Sequence, residues 1–90
     1  MENNYTNILE DCIKIANERQ ASYGEASENL QKTCDILHVA FGIEMNPSQL
    51  ALVLVALKLS REQTQHKPDN ILDMVNYLCI YLHTYEKHKQ

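Results

Sequence analysis

The stretch from Leu50 to Leu57 (LALVLVAL) constrains the fold more than any other, because every residue in it is apolar. Asn46 and Pro47 precede it, in the order that caps a helix and begins its first turn. Polar residues continue beyond it at helical spacing, so we predict a helix from Pro47 to about Gln65 and not a strand. A helix that is apolar on all sides is buried all round, either at the centre of a bundle or in a contact between subunits.

Three other segments carry apolar residues at three- and four-residue spacing, which is the pattern of amphipathic helices. Gly24 and Gly42 are predicted to end the first two, since glycine readily adopts the left-handed conformation found at helix ends. Pro68 separates the third helix from the fourth, because proline cannot continue the helical ladder. The predicted segments are about Asn4 to Ser22, about Ala26 to Phe41, and from Asp69 or Asn70, as the cap, to about Lys87.

These patterns predict an all-α fold, a compact four-helix bundle with short loops, in a single helical domain over residues 1–90. In the fourth helix the predicted core stripe is Ile71, Met74, Val75, Leu78 and Leu82. The three cysteines also lie in apolar segments and are predicted to be buried hydrophobes: Cys12, Cys34 and Cys79. A core of this size is marginal on its own, which favours a homo-oligomer.

The charge balance and the chain ends exclude several classes of protein. The chain has 8 Lys and Arg against 12 Asp and Glu, a formal net charge of −4, which argues against a general nucleic-acid binder. The polar, acidic start MENNYTNILED is unlike a signal peptide, and the apolar run is too short to cross a bilayer. The cysteines are odd in number and widely spaced, as in a reduced compartment. We therefore expect a cytoplasmic protein with no membrane contact.

Charged residues gather where the third and fourth helices meet. The group consists of Lys58, Arg61, His66, Lys67, Asp69 and Asp73. Two alternatives stay open for it. The first is a structural network in which Arg61 pairs with Asp73, Lys58 pairs with a neighbour and Asp69 is a cap. The second is an anion site in which Arg61 contacts phosphate bidentately and Lys58 supplies a point charge. Asp73 would then orient Arg61, bind a ribose hydroxyl or hold Mg²⁺.

A second polar group lies between the first and second helices. Tyr23 offers a ring on which a base can stack, and the Asn29 amide is able to read a base edge. Arg19 stands four residues before Tyr23, so one helix face carries both a cation and an aromatic ring. Gly24 permits the tight turn that follows. The alternative for Tyr23 and Gly24 is helix-end packing and turn chemistry.

Taken together, these residues resemble a family of small, largely uncharacterised phage and prophage proteins. The motifs that carry the resemblance are Arg19-x-x-x-Tyr23-Gly24-x-x-x-x-Asn29, Lys58-x-x-Arg61 and His66-Lys67-x-Asp69-Asn70-x-x-Asp73-x-x-x-Tyr77. The resemblance implies an all-helical fold, a phage origin and a place in the cytoplasm of a bacterial host cell. Members of that family are distantly similar to MazG-like all-α nucleotide pyrophosphohydrolases, which bind Mg²⁺ through pairs of acidic residues.

This sequence departs from the MazG-like pattern. Lys58 and Arg61 stand where the third helix would carry an acidic pair. The best remaining carboxylates are Asp69 and Asp73, with Glu28 in reserve, although a metal cluster needs several converging oxygen ligands. The replacement of acids by cations favours holding phosphates over cleaving them.

Three functions therefore remain open. The first is a nucleotide- or phosphate-ligand-binding protein that sequesters a host immune nucleotide without hydrolysis. The second is a MazG-like hydrolase that uses Asp69, Asp73 and Glu28 with Mg²⁺, the one cofactor the sequence suggests. The third is an inhibitor that binds a host defence enzyme as a protein partner. The residues predicted to bind the nucleotide-type ligand are Arg19, Tyr23, Asn29, Lys58, Arg61, His66, Lys67, Asp69 and Asp73.

Overall fold

Four α-helices form the fold in the computed structural model, which describes the backbone of residues 5–89 and the side chains of residues 5–85. The helices are α1 (Tyr5–Tyr23), α2 (Ala26–Phe41), α3 (Pro47–Thr64) and α4 (Pro68–Lys89). The backbone from residue 5 to residue 89 contains no strand, so the predicted all-α four-helix bundle is confirmed. Asn4, the predicted start of the first helix, lies outside the described residues.

The predicted start of α3 and the predicted ends of α1 and α2 are confirmed. The Asn46 side chain accepts a hydrogen bond from the backbone N–H of Gln49 at 2.8 Å, and the Gln49 side chain accepts one from the Asn46 N–H at 3.0 Å. This reciprocal capping box fixes the start of α3, with Pro47 in its first turn. Gly24 and Gly42 have φ of 86° and 69°, the left-handed region in which a side chain is strained.

The predicted cap of α4 is wrong. The helix begins at Pro68, whose fixed φ suits the first helical position and whose missing N–H leaves no donor unpaired. Asp69 therefore lies inside the first turn and does not precede it. Asn70 is also helical, and its side-chain Nδ2 donates to Glu62 Oε1 of α3 at 3.1 Å. Asn70 therefore links to the turn from within the helix.

The α3–α4 hairpin is the centre of the packing. Its two helices make the most extensive contact in the fold, while α1 packs mainly on α4 and α2 mainly on α3. Within residues 5–85, the buried apolar residues are Cys12, Cys34, Pro47, Leu50 and Ala51. The core is small because one side of the hairpin is left uncovered.

Several predicted core residues lie on that uncovered side. Leu78 and Leu82 belong to the predicted stripe of α4, yet both are exposed, Leu82 by 58%. On α3, Leu52, Val53 and Leu57 are also exposed, so the helix is not buried all round within one chain. Periodicity identified residues that share a face, but no other helix of the chain packs against that face.

The three cysteines also include both buried and exposed residues. Cys12 and Cys34 are buried as predicted, and burial is the main cause that raises the pKa of both thiols. Cys79 is exposed, which contradicts the prediction. It lies on a part of α4 that borders a cavity instead of a packed helix.

Across the described residues, no helix combines the length and the apolar character that crossing a membrane requires.

Candidate functional site

Asp73 is a buried carboxylate near the start of α4 that joins three helices. Its Oδ1 accepts a hydrogen bond from Arg19 Nη2 of α1 at 3.1 Å, and its Oδ2 lies 2.8 Å from Lys58 Nζ of α3. We call Arg19, Lys58 and Asp73 the Asp73 cluster. One negative charge faces two positive charges, so the cluster carries a net charge of about +1.

The two cations of the Asp73 cluster differ in their access to solvent. The Lys58 side chain is 17% exposed and the Arg19 side chain is 52% exposed. A largely buried ammonium needs a nearby acid, and Asp73 provides it for Lys58. The Arg19 guanidinium has about five N–H donors, and its Nη2 donates to Asp73, so most of its donors remain for another acceptor on a half-exposed side chain.

A cavity of about 420 Å³ lies beside Arg19, where the end of α1, the start of α2 and the middle of α4 come together. Its size falls within the range of small-molecule sites. Apolar side chains such as Ile15, Leu30 and Ile80 form much of its wall. Its polar and aromatic side chains include Arg19, Tyr23, Asn29, Asn76, Tyr77 and His83.

The α1–α2 turn shapes one edge of this cavity. Gly24 closes α1 by donating its N–H to the Gln20 carbonyl at 2.9 Å. Asn29 holds the turn from the other side, because its Nδ2 donates to the Tyr23 carbonyl at 2.7 Å. Glu25 caps α2 by accepting from the Glu28 N–H at 2.9 Å. The Tyr23 ring remains exposed at the edge, where it is accessible to a ligand.

None of the α4 residues that line the cavity belonged to the sequence-predicted site, and Asn76 and Tyr77 are two of them. Asn76 donates its Nδ2 to the carbonyls of Cys12 at 3.3 Å and Leu72 at 3.0 Å, which ties α1 to α4 beneath the cavity. Tyr77 is half-buried in the cavity wall. Helical spacing offered a signal for both, since they follow Asp73 by three and four residues and share a face with it.

Glu62 organises the α3–α4 turn and was also missed. Its Oε2 pairs with His66 Nδ1, while its Oε1 accepts from the Lys67 backbone N–H at 3.0 Å and from Asn70 Nδ2 at 3.1 Å. The His66 bond, followed by the Lys67 and Asn70 bonds, lowers the pKa of Glu62 to about 2. The turn is therefore held by an acid that the predicted cation site did not include.

The structure divides the nine predicted ligand-binding residues into two places. Five of them lie in the Asp73 cluster or on the cavity: Arg19, Tyr23, Asn29, Lys58 and Asp73. The other four are exposed at or near the α3–α4 turn and do not line the cavity: Arg61, His66, Lys67 and Asp69.

The predicted pairing of Arg61 with Asp73 is not the one that forms. Lys58 takes that position because it lies on the side of α3 that faces α4, as does Glu62 four residues later. Arg61 is turned away from this side and is exposed to solvent. The structural network of the first alternative therefore exists, but with Lys58 and Arg19 as its cations.

The carboxylates considered for Mg²⁺ are not gathered into one group. Across residues 5–85, no three His, Cys, Asp or Glu side chains lie close enough together to hold a metal ion. Asp69 is exposed, and both oxygens of Asp73 already face cations. The described side chains thus present a cation beside a cavity, without a matching metal-ligand set.

Comparison of the chain with curated proteins and with solved structures finds no match to either. A family model described as a domain of unknown function, DUF6378, matches residues 7–84. The matched region contains the Asp73 cluster, the cavity and most of all four helices. The chain therefore belongs to the DUF6378 family.

Proposed function

We propose that this protein binds a nucleotide, or a closely related phosphate-bearing ligand, in the cavity beside the Asp73 cluster and holds it without hydrolysis. The observation that carries the proposal is the double role of Arg19. It lines the cavity and is anchored to a buried carboxylate at 3.1 Å. A guanidinium held in one place is well suited to a phosphate, because less side-chain entropy is lost when the anion binds.

Lys58 makes that guanidinium useful for binding. If Asp73 faced Arg19 alone, the two charges would cancel and a phosphate would be repelled by the acid. Because Lys58 lies 2.8 Å from the other oxygen of Asp73, it compensates the carboxylate from inside the fold. The positive charge of Arg19 then remains available on the cavity side.

The rest of the cavity fits the non-phosphate part of a nucleotide. Tyr23 at the edge and Tyr77 in the wall present ring faces on which a base can stack. The amides of Asn29 and Asn76 use their Nδ2 donors on backbone carbonyls, which fixes their orientation. Their side-chain oxygens serve as acceptors for a base or a sugar hydroxyl.

The arrangement of the carboxylates supports binding without hydrolysis. Hydrolysis of a diphosphate by a MazG-like route requires several acidic oxygens around Mg²⁺. The described side chains form no such group. We therefore propose sequestration, and we extend it with the resemblance to phage proteins: the ligand is a host immune nucleotide in the cytoplasm of an infected bacterium.

A ligand panel tests the proposal. The full chain is screened by thermal shift against mono-, di- and triphosphate nucleotides, cyclic nucleotides and ADP-ribose, each with and without Mg²⁺. A ligand at about 100 times its Kd stabilises the folded chain by about 2.7 kcal/mol. We expect at least one nucleotide to raise Tm, and chromatography to recover that nucleotide unchanged after incubation.

Two matched variants locate the ligand. Arg19→Ala is expected to weaken binding of that nucleotide at least tenfold, which corresponds to about 1.4 kcal/mol. Arg61→Ala removes the same charge from an exposed position of α3 that does not line the cavity, and is expected to leave Kd unchanged. Circular dichroism verifies that both variants keep their helical content.

The competing functions give different results. Turnover of a nucleotide in the presence of Mg²⁺ would establish the hydrolase. No Tm shift with any nucleotide, together with capture of a host defence enzyme, would establish the protein inhibitor. Equal weakening by Arg19→Ala and Arg61→Ala would mean that the ligand is attracted by general charge and does not occupy the cavity.

A further inference from the structure

One side of the α3–α4 hairpin is exposed and apolar. On α3 this side consists of Leu52, Val53, Ala56, Leu57 and Leu59. On α4 it consists of Ile71, Leu78, Leu82 and Tyr85, with the half-buried Val75 between them. We call these two stripes together the hairpin face.

The α3 stripe carries no charge. At about 100° per residue, the exposed apolar residues of α3 occupy one continuous sector of the helix. The polar residues in that sector are Gln49, Ser60, Gln63 and Thr64, all uncharged. The charged neighbours Lys58 and Glu62 point toward α4 instead. A solvent-facing helix surface is ordinarily rich in charged residues, so this one is built to be covered.

The α4 stripe has the spacing of a helix–helix seam. Ile71, Val75, Leu78, Leu82 and Tyr85 follow one another at intervals of four, three, four and three residues. That alternation is the repeat with which apolar residues face a partner helix in coiled coils and bundles. Within the chain, α4 turns Asp73 and Asn70 toward α3 and α1, and leaves this seam open.

The two stripes lie on the same side of the hairpin. The helices α3 and α4 run antiparallel because residues 65–67 alone connect them. The angle about a helix axis increases by about 100° per residue from the N-terminus to the C-terminus. On both helices, the exposed sector begins just beyond the residues that face the other helix, on the side of increasing angle. In an antiparallel pair these two directions coincide, so the stripes form one continuous surface.

The chain as a whole exposes more surface than a compact monomer of its mass, and the excess is large enough for one interface. The chain exposes 6653 Å². A compact monomer of 10.4 kDa is expected to expose about 5,400 Å², so this chain exposes about 1,250 Å² more. A standard interface buries about 800 Å² on each partner. The radius of gyration of the chain, 14.4 Å, also exceeds the value of about 12 Å for a compact chain of this length.

From these observations we infer that a second copy of the chain docks on the hairpin face, which brings two α3–α4 hairpins together around a two-fold axis. A two-fold contact places a surface against itself, so a charged residue in it is buried without a partner unless the same surface also carries an opposite charge. Each chain has a net charge of −4, and an uncharged stripe along α3 is where two such chains can approach without repulsion. Four helices then enclose a new core that neither chain possesses alone.

The mass of the protein in solution tests this inference. Sedimentation equilibrium of the full chain is expected to give twice 10.4 kDa. Ala56→Glu places a charge in the middle of the uncharged stripe, which offers it no opposite charge, and is expected to give monomers. The matched control is Val39→Glu, at a strongly exposed apolar position of α2 outside the hairpin face, which is expected to leave the dimer intact.

A second measurement decides the case even where Ala56→Glu fails to fold. The Tm of a wild-type dimer rises with protein concentration, since unfolding releases two chains. A wild-type mass of one chain with a Tm independent of protein concentration overturns the inference. Binding of that monomer to phosphatidylcholine vesicles would not change this result. A dimer that Val39→Glu dissociates and Ala56→Glu does not would place the interface on α2, and would overturn it as well.

Discussion

Asp73 and Glu62 are both carboxylates that face several donors, but they differ in burial and in how far away in the sequence their partners lie. Asp73 is buried and is reached by cations from two other helices, one of them 54 residues away in the sequence. Glu62 lies at the α3–α4 turn, and its partners are four to eight residues away. The first arrangement fixes how helices pack, whereas the second fixes how one turn is made.

The difference separates residues that the sequence presented as one group. A buried charge is costly without a partner, so the Asp73 cluster has to be satisfied by the tertiary structure. An exposed charge at a turn is solvated in any case, so Arg61, Lys67 and Asp69 are free of that requirement. Burial therefore predicts where a substitution disturbs the fold and where it does not.

Asp73→Ala should have the largest effect on stability. It leaves the Lys58 ammonium largely buried without its acid, and it also releases Arg19. Loss of one partner from a buried ion pair costs about 3 kcal/mol or more, and we expect about 3 because the half-exposed Arg19 returns to water. Urea unfolding followed by circular dichroism measures this free energy.

Asp69→Ala is the matched control for that substitution. It removes the same carboxylate four residues earlier on α4, at an exposed position of the first turn. The expected loss is about 0.3 to 1 kcal/mol, from the interaction with the helix dipole. If the two variants lost equal stability, the contrast between the buried and the exposed acid would not hold.

Lys58→Met should be the next most damaging change. Methionine replaces the alkyl stem but not the ammonium, and Asp73 keeps Arg19 as its partner. We expect a loss of about 2 kcal/mol, within the range of about 1.5 to 3 kcal/mol for a hydrogen bond to a charged group. Lys14→Met, at an exposed position of α1, should change the free energy of unfolding by less than about 0.5 kcal/mol. A loss from Lys58→Met that exceeds the loss from Asp73→Ala would show that Arg19 does not compensate Asp73.

Much of the fold was accessible from the sequence because its signals are local. Asn46 and Pro47 set the start of α3, and the glycines after α1 and α2 set their ends. The start of α4 was missed, since Asn70 met the usual description of a cap while its actual partner lies eight residues earlier. Helical periodicity correctly grouped Leu78 with Leu82, but it contains no information on what covers them.

The candidate site was accessible only in part. The hairpin brought Lys58 near Asp73 as expected, because short loops make neighbouring helices antiparallel. Which cation takes the acid depends on the rotation of α3, and a turn of about 60° separates Lys58 from Arg61. The bond from Arg19 to Asp73 joins positions 54 residues apart, and no local pattern encodes it.

Glu62→Gln should give the smallest loss, one that depends on pH. The ordinary pKa of this carboxyl is 4.5, and its three hydrogen bonds lower it to about 2 in the folded chain. Between these values the unfolded chain binds more protons, so the ionised Glu62 stabilises the fold fully above pH 4.5 and loses that effect as the pH falls toward about 2. The Tm difference between wild type and Glu62→Gln, measured from about pH 6 to about pH 2, should therefore shrink toward zero. A Tm difference that persisted unchanged at the acid end would mean that the turn depends on the shape of the side chain and not on its charge. The turn would then depend on packing, and the contrast between Glu62 and Asp73 would not hold.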